Sequence, residues 1–167
     1  MSGLLAFALA AELGSLLQAR RWHVTAAESC TGGLVAGAIT STPGSSAWFD
    51  VAFVTYSNEG KLRWLDVPAT LLATEGAVSE AVAAAMAMGA LERAAADLSV
   101  AITGIAGPDG GSALKPVGTV CFAWATRQGV RVTTTRHLDG DRAGIRDASV
   151  IVALEGLIEQ ARMAERR

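Results

Sequence analysis

Several residue types are scarce in this chain of 167 residues, and each scarcity excludes a class of protein. Two cysteines, Cys30 and Cys121, are too few for a disulfide framework, which indicates a protein with free thiols in the cytoplasm. The two histidines, His23 and His137, have no partner at the spacing of metal ligands. We therefore expect neither a metal site nor a bound cofactor.

Long apolar runs and basic stretches are also missing. The apolar run over residues 81–91 is too short to span a bilayer. Glu12 interrupts the apolar N-terminal residues, and no basic region precedes them, which disfavours a signal peptide. The formal net charge is -2 and no basic stripe stands out, so we expect neither nucleic acid nor a membrane as a partner.

Lysine is the third scarce residue type, because twelve of the fourteen basic residues are arginines. Arginine does not lose its proton in practice, so a chain that otherwise uses arginine has reason to place lysine where a compact or titratable amine is needed. The chain has only two lysines, Lys61 and Lys115, and they are the candidates for such an amine. Lys115 precedes a proline and fits a structural bend better than a catalytic position.

Apolar residues make up 51% of the chain. Their spacing indicates strand-like segments that alternate with helical segments along the chain. The strand-like segments are residues 22–27, 48–56, 98–102, 117–126 and 130–138. The helical segments are residues 4–20, 34–40, 58–64, 69–73, 79–97 and 142–163. This alternation predicts a single α/β domain over residues 1–167, a three-layer α/β/α sandwich whose mixed sheet has a parallel centre and a C-terminal antiparallel hairpin.

One stretch, residues 28–33, places a hydroxyl beside two glycines at the end of a predicted strand. Glycine lets the backbone approach a ligand closely, and the first N–H groups of a helix favour an oxyanion. We interpret Ser29 as a nucleophile aimed at a carbonyl carbon. The residues that would then surround the substrate are Cys30, Thr31, Gly32 and Gly33. The alternative is a plain joint in which Ser29 caps a helix, and the local sequence alone favours that alternative.

No histidine is placed as a base for Ser29, so the base is sought in residues 54–61. This stretch holds no S-x-x-K motif, and no dinucleotide-binding G-x-G-x-x-G follows the first strand. Lys61 would have to reach Ser29 through space, as a Ser–Lys variant of the catalytic triad, with Tyr56 relaying a proton or holding the serine hydroxyl. An ordinary lysine is neutral at pH 7 only at a cost of about 4.6 kcal/mol, which burial would have to lower. The alternatives are a solvated lysine and a packed tyrosine.

Two further features point to a substrate. The glycine-rich loop over residues 103–111 follows a strand and could offer backbone N–H groups from Thr103 and Gly104 to a carbonyl or phosphate. Arg142 and Arg146 lie four residues apart on one face of the last helix, close to its start, which is typical of a phosphate clamp. Ion pairs with neighbouring aspartates are an equally good explanation of the two arginines.

Six motifs occur in order along the chain: E-S-C-T-G-G, V-T-Y-S-N-E-G-K, G-A-V-S, T-G-I-A-G-P-D-G-G, K-P-V-G-T-V and G-D-R-A-G-I-R. Together they resemble the CinA C-terminal domain family over residues 5–157. The resemblance implies a three-layer α/β/α fold and hydrolysis of nicotinamide mononucleotide to nicotinic acid mononucleotide and ammonia, as in the stand-alone nicotinamide-nucleotide amidases of that family. That reaction belongs to pyridine nucleotide recycling.

The resemblance also implies roles for particular residues. It makes Ser29, Tyr56 and Lys61 catalytic, and it makes Thr103, Gly104 and Arg142 ligands of the substrate. Gly60 and Asp109 depart from the family's usual residues, but neither is a proposed catalytic group. Two other functions stay open: a silent nucleotide-binding regulatory module, and an amidase for a related ribotide. Apolar surface on the terminal helices would suit a homodimer.

Overall fold

The computed structural model describes residues 2–163, which form six α-helices, five strands and a short 3₁₀ turn. The helices are α1 (Ser2–Arg20), α2 (Leu34–Thr40), α3 (Asn58–Leu65), α4 (Ala69–Glu75), α5 (Glu80–Arg93) and α6 (Arg142–Met163). The strands are β1 (Val24–Glu28), β2 (Phe53–Val54), β3 (Leu98–Gly104), β4 (Thr119–Thr126) and β5 (Gly129–His137).

The five strands form one mixed sheet in the order β2-β1-β3-β4-β5. Strand β1 pairs in parallel with β2 and β3, so the carboxyl ends of these three strands meet at one edge. Strand β4 runs antiparallel to β3 and forms a hairpin with β5. The predicted parallel centre and C-terminal hairpin are therefore confirmed.

Helices cover both faces of the sheet, which gives the predicted three layers. On one face α1, α2 and α6 bury large side chains such as Leu13, Ile39 and Leu154 against the strands. On the other face α3, α4 and α5 pack on strand positions occupied by small residues. These strand residues are Ala27, Ala101, Ala123 and Ala125. Small residues on the strands let the alanine-rich α5 lie close to the sheet.

The predicted strand over residues 48–56 is wrong in extent. Only Phe53–Val54 pairs with β1 as a strand, and an isolated bridge joins Phe49 to the start of β1. Between these two points the carbonyl of Val51 accepts a hydrogen bond from the Thr25 hydroxyl. A side chain therefore replaces the backbone ladder there, which the apolar character of the segment does not reveal.

Helix α5 ends at Arg93, four residues before the predicted end. Ala95 adopts a left-handed conformation with φ 49°, and the N–H of Ala96 bonds back to the carbonyl of Leu91. This is the ordinary way for a helix to stop, but glycine usually occupies the left-handed position. An alanine there gives no signal in the sequence.

Helix α1 is, among residues 2–163, the one helix long and apolar enough by composition to cross a membrane. One such helix near the N-terminus is weak evidence of a span, because the core helix of a globular protein passes the same test. In this structure Leu13 and Leu17 of α1 are buried in the core, while Leu4 and Phe7 are exposed. We attach no membrane function to it.

The position of α3 is fixed by a close approach to α5. A Cβ atom added to Gly89 of α5 would lie 2.1 Å from the carbonyl oxygen of Leu65, the last residue of α3. No side chain fits at this crossing, and the obstacle is backbone that cannot rotate away. Gly89 therefore sets the distance between α5 and the helix that carries Lys61.

Substituting Gly89→Ala should lower the free energy of unfolding by about 1–3 kcal/mol, because the added methyl overpacks a backbone contact. The matched control is Gly37→Ala in α2, where an added Cβ meets no atom within 4 Å. The control should gain up to about 1 kcal/mol from helix propensity. Urea denaturation of the three proteins measures both changes, and a Gly89 variant as stable as the parent would contradict the contact.

Candidate active site

A cavity of about 220 Å³ opens where the carboxyl ends of β1, β2 and β3 meet. Ligands of open α/β sheets bind at this edge. The residues that line the cavity come from these strand ends, from the segment between α4 and α5, and from the starts of α3 and α6. They are Ser29, Cys30, Tyr56, Asn58, Lys61, Ala77, Val78, Thr103, Gly104, Ala106 and Arg142.

The structure brings Ser29 and Lys61 together in this cavity. Ser29 directly follows β1, Lys61 lies in the first turns of α3, and the distance from Lys61 Nζ to Ser29 Oγ is 3.0 Å. The Ser57 hydroxyl caps α3 by accepting the N–H of Gly60, which starts the helix so that Lys61 points inward. Two polar groups 32 residues apart in sequence are thus in hydrogen-bond contact.

Lys61 is the largest buried polar side chain of the site, with 1% of its surface exposed. Burial disfavours the charged amine and lowers its pKa from 10.5 to about 8. Within residues 2–163 no carboxylate pairs with this amine. The amine is therefore far easier to deprotonate than an ordinary lysine.

Two backbone carbonyls orient the amine. Lys61 Nζ donates to the carbonyl oxygens of Thr55, at 2.8 Å, and Tyr56, at 3.3 Å. A neutral amine has two N–H donors and one lone pair. With both donors engaged by the carbonyls, the lone pair is left facing the third neighbour, the hydroxyl of Ser29. The geometry thus suits an amine that accepts the serine proton.

The turn that follows Ser29 differs from the sequence prediction. The N–H of Gly32 donates to the carbonyl of Ser29, and the N–H of Gly33 donates to the carboxylate of Glu28. Both glycine amides are therefore engaged, and neither residue lines the cavity, nor does Thr31. The positions of these three residues do not support the prediction that they surround the substrate. The carboxylate of Glu28 accepts the N–H groups at the start of α2 that were predicted to face the substrate.

Glycine 104 is better placed to offer a free amide. In an antiparallel ladder, alternate residues direct their N–H groups to opposite sides. The N–H of Ile105 donates to the carbonyl of Thr119 in β4, so the N–H of Gly104 points the other way, toward the carboxyl end of β1. Gly104 and Cys30 both line the cavity beside Ser29.

Tyr56 contacts the site in a different way from the one predicted. Its side chain is 61% exposed, and its hydroxyl oxygen accepts a hydrogen bond of 3.0 Å from Arg142. The contact with Ser29 is made by the carbonyl oxygen of Tyr56, which lies 3.5 Å from Ser29 Oγ. Within residues 2–163 the phenol makes no hydrogen bond to Ser29, so a proton relay through the hydroxyl does not fit this arrangement.

The two predicted arginines lie in different places. Arg142 lines the cavity and donates to the carbonyl of Gly107 as well as to Tyr56. Arg146 is not among the cavity residues, and its guanidinium donates to the carbonyls of Cys30 and Thr31. The predicted pair of phosphate ligands is therefore reduced to Arg142. The alternative explanation was an ion pair with Asp139 or Asp141, and within residues 2–163 neither arginine forms one.

The remaining predicted residues form the walls. Cys30 is buried, and burial raises the pKa of its thiol to about 11, so the thiol stays neutral. The hydroxyl of Thr103 donates to the carbonyl of Ala77 and holds the G-A-V-S segment against the cavity. Lys115 supports the same segment by donating to the carbonyl of Val78 at 2.6 Å, which agrees with its predicted structural role.

Sequence reasoning missed five residues of the site. Glu28 is fully buried and caps α2, although it opens the E-S-C-T-G-G motif. Asn58, Ala77, Val78 and Ala106 line the cavity, and all four lie inside motifs that the sequence displayed. Their membership of these motifs was the available signal. For residues 2–163, no group of three or more histidine, cysteine or acidic side chains is arranged to hold a metal ion.

Comparison with known proteins places this site in a family. The model of the CinA C-terminal domain matches residues 6–161. A nicotinamide-nucleotide amidohydrolase PncC from Enterobacter agglomerans is 50% identical over 152 residues, which cover 91% of this chain and 93% of that protein. The enzyme of the same name from Escherichia coli K12 is 53% identical over 152 residues, covering 91% and 92% of the two chains.

Solved structures give the same result for the fold. A CinA superfamily protein from Klebsiella pneumoniae superposes with a TM-score of 0.90 at 39% identity, covering 95% of this chain and 98% of that one. A competence/damage inducible protein from Agrobacterium tumefaciens also reaches a TM-score of 0.90, at 47% identity, covering 93% and 94%. The three-layer fold is thus shared by crystal structures at high coverage.

Burial of Lys61 makes stability depend on pH. Below pH 8 the amine is charged in both folded and unfolded chains, and the pKa shift costs the folded state about 3 kcal/mol. Between pH 8 and 10.5 the unfolded chain binds more protons, so the free energy of unfolding rises with pH. Lys61→Met removes the cost of burying a charged amine. The free energy of unfolding of this variant minus that of the parent should therefore fall by about 3 kcal/mol between pH 8 and 10.5. Urea denaturation at pH 7, 8.5 and 10.5 measures it; a difference that stays constant would contradict the burial.

Proposed function

Because the chain belongs to the CinA C-terminal domain family, we propose that it is an amidohydrolase that converts nicotinamide mononucleotide to nicotinic acid mononucleotide and ammonia. The names of the relatives from Enterobacter and Escherichia support this substrate. The observation that carries the chemistry is the contact of 3.0 Å between Lys61 Nζ and Ser29 Oγ in the cavity. The proposal includes a cytoplasmic location, in keeping with two free cysteines.

The cavity suits a planar amide joined to an anionic group. At about 220 Å³ it is smaller than a typical ligand pocket, so it would hold the pyridine ring and leave the ribose and phosphate toward its mouth. Ala77, Val78 and Ala106 supply apolar contacts for the ring. Arg142 is the arginine of the lining and keeps its charge, and we assign it to the 5′-phosphate.

The first half of the reaction is acyl transfer to the serine. Lys61, in its neutral form, takes the proton of Ser29 while Oγ attacks the carboxamide carbon. The amides of Gly104 and Cys30 stabilise the oxyanion, and the loss of one such donor typically costs 10²–10³ in rate. Lys61 then returns its proton to the amide nitrogen, the C–N bond breaks, and ammonia leaves behind an ester on Ser29.

The second half is hydrolysis of that ester. Lys61 takes a proton from water, and the resulting hydroxide attacks the ester carbon. The bond from carbon to Ser29 Oγ breaks, and the serine recovers its proton from Lys61. The product is then a carboxylic acid, which loses its proton to solvent and leaves as the carboxylate. The same amine serves as base and acid in both halves. Its pKa of about 8 is close to neutral pH, where both forms are populated.

Ser29→Ala should lower ammonia release from nicotinamide mononucleotide by at least about 10⁴-fold, because the ester intermediate cannot form. Binding of the mononucleotide, measured by calorimetry, should stay within about threefold of the parent. Nicotinamide, its riboside and NAD, assayed alongside, define the substrate. With the parent enzyme, added hydroxylamine should capture the acyl group as a hydroxamate. Near-normal turnover by the alanine variant would refute the covalent route.

The value of kcat/KM for the parent should rise about tenfold per pH unit below pH 8 and level off above it, since the neutral form of Lys61 is the active one. Neutralising the amine at pH 7 costs about 1 kcal/mol at this pKa. Lys61→Arg is the matched control, because it keeps a cation that does not lose its proton. It should be inactive throughout the range. A flat profile for the parent enzyme would argue against lysine as the base.

A further inference from the structure

Arg146 of α6 reaches the turn that follows the nucleophile. Its Nε donates to the carbonyl of Cys30 at 3.0 Å, and its Nη2 donates to the carbonyl of Thr31 at 3.1 Å. These are consecutive carbonyls, and the planar guanidinium contacts both of them from one side. An added Cβ at Gly32 would lie 3.3 Å from the same Nη2 atom, so the guanidinium rests directly against the turn.

Glu28 holds the other end of the same turn. Its carboxylate is fully buried and accepts the N–H groups of Gly33, Val35 and Ala36 at 2.9 to 3.1 Å. Three amides on one carboxylate fix the first turn of α2 in position. Removing the acceptor would leave buried donors without partners, which is costly. The carboxylate therefore belongs to the scaffold of the turn rather than to the cavity.

We propose that Glu28 and Arg146 are positioning residues, which hold the turn of residues 29–33 from its two ends and so fix Ser29 and the Cys30 amide for acylation. The inference rests on the proposed role of Ser29 as the nucleophile. It assigns Arg146 to the backbone of the turn and leaves Arg142 as the ligand of the substrate.

The direction of the peptide planes gives the physical reason. In a trans peptide the C=O of one residue and the N–H of the next point in opposite directions. When Arg146 holds the carbonyls of Cys30 and Thr31 on its side, the amides of Thr31 and Gly32 must face away from it. Gly32 then closes the turn onto the Ser29 carbonyl. Without the guanidinium the two peptide planes lose this constraint, and a displacement near 1 Å can cost about 10²-fold in rate.

The two possible roles of Arg146 predict different kinetics. A phosphate ligand favours the mononucleotide over the riboside, so its removal should raise KM for the mononucleotide and erase that preference. A positioning residue acts on the nucleophile, so its removal should lower kcat for both substrates and leave their ratio unchanged. The ratio of kcat/KM for the two substrates therefore separates the roles.

The experiment compares Arg146→Ala, Glu28→Gln and Arg142→Ala with the parent. We expect kcat of Arg146→Ala to fall roughly 10²-fold with KM within about threefold, the substrate ratio unchanged, and partial recovery of kcat on adding millimolar guanidinium. Glu28→Gln should also lower kcat with little change in KM. Arg142→Ala should lose the preference for the mononucleotide. The control is Arg162→Ala, which removes an exposed arginine of the same helix that pairs with Glu12.

Labelling of Ser29 by a fluorophosphonate provides a readout that does not depend on the natural substrate. Slower labelling of Arg146→Ala, restored by guanidinium, supports the inference. This holds even if the parent releases no ammonia from nicotinamide mononucleotide, because that second result would overturn the proposed substrate alone. Labelling at the parental rate overturns the inference and leaves the proposed function intact. A loss of substrate preference in Arg146→Ala also overturns it, because the guanidinium would then be a phosphate ligand.

Discussion

The arrangement of this protein depends on one buried amine that has no acidic partner among residues 2–163. Lys61 is taken out of water by the packing of α3 against the sheet, and its hydrogen bonds go to backbone carbonyls and to Ser29. A carboxylate in this place would hold the proton on the amine, whereas carbonyl dipoles orient the amine without restoring its full basicity. Burial thus lowers the pKa of an amine in a cavity whose lining includes no histidine, at the expense of stability.

The rest of the fold brings the other reacting groups to that amine. Strand β1 ends at Glu28, so Ser29 emerges at the edge of the sheet, and the parallel neighbours β2 and β3 end beside it. The close approach of α5 to the end of α3 at Gly89 fixes the distance between these two helices and therefore the position of α3 on the sheet. Sheet register and helix position together decide whether two groups from distant parts of the chain meet within 3.0 Å.

Much of this could be predicted from the sequence. Apolar periodicity indicated the layers, the parallel centre and the hairpin, because each depends on patterns within short segments. The strand ends pointed to the edge that carries Ser29, Tyr56 and Thr103, since parallel strands share that edge. The scarcity of lysine drew attention to Lys61. Its contact with Ser29 was a hypothesis of convergence, and its catalytic role stays a prediction.

The allocation of individual hydrogen bonds could not be predicted. Whether the amides of Gly32 and Gly33 are free depends on where the carboxylate of Glu28 lies, and whether Arg146 faces a ligand or a backbone depends on the placement of α6. Spacing along a helix shows only that two arginines share a face. Both facts arise from tertiary contacts between segments more than a hundred residues apart or from turns that have no distinctive composition.

The acceptors that aim the amine are the main-chain oxygens of Thr55 and Tyr56. Replacing either of these side chains leaves its carbonyl in the chain, so a point substitution there does not remove the acceptor that orients the amine. A histidine held by an aspartate side chain would lose its partner in the same test. Asn58, Ala77 and Val78 line the cavity, and their side chains do not orient the amine. Substitutions in the cavity walls can therefore change the shape of the cavity while Lys61 and Ser29 keep their alignment.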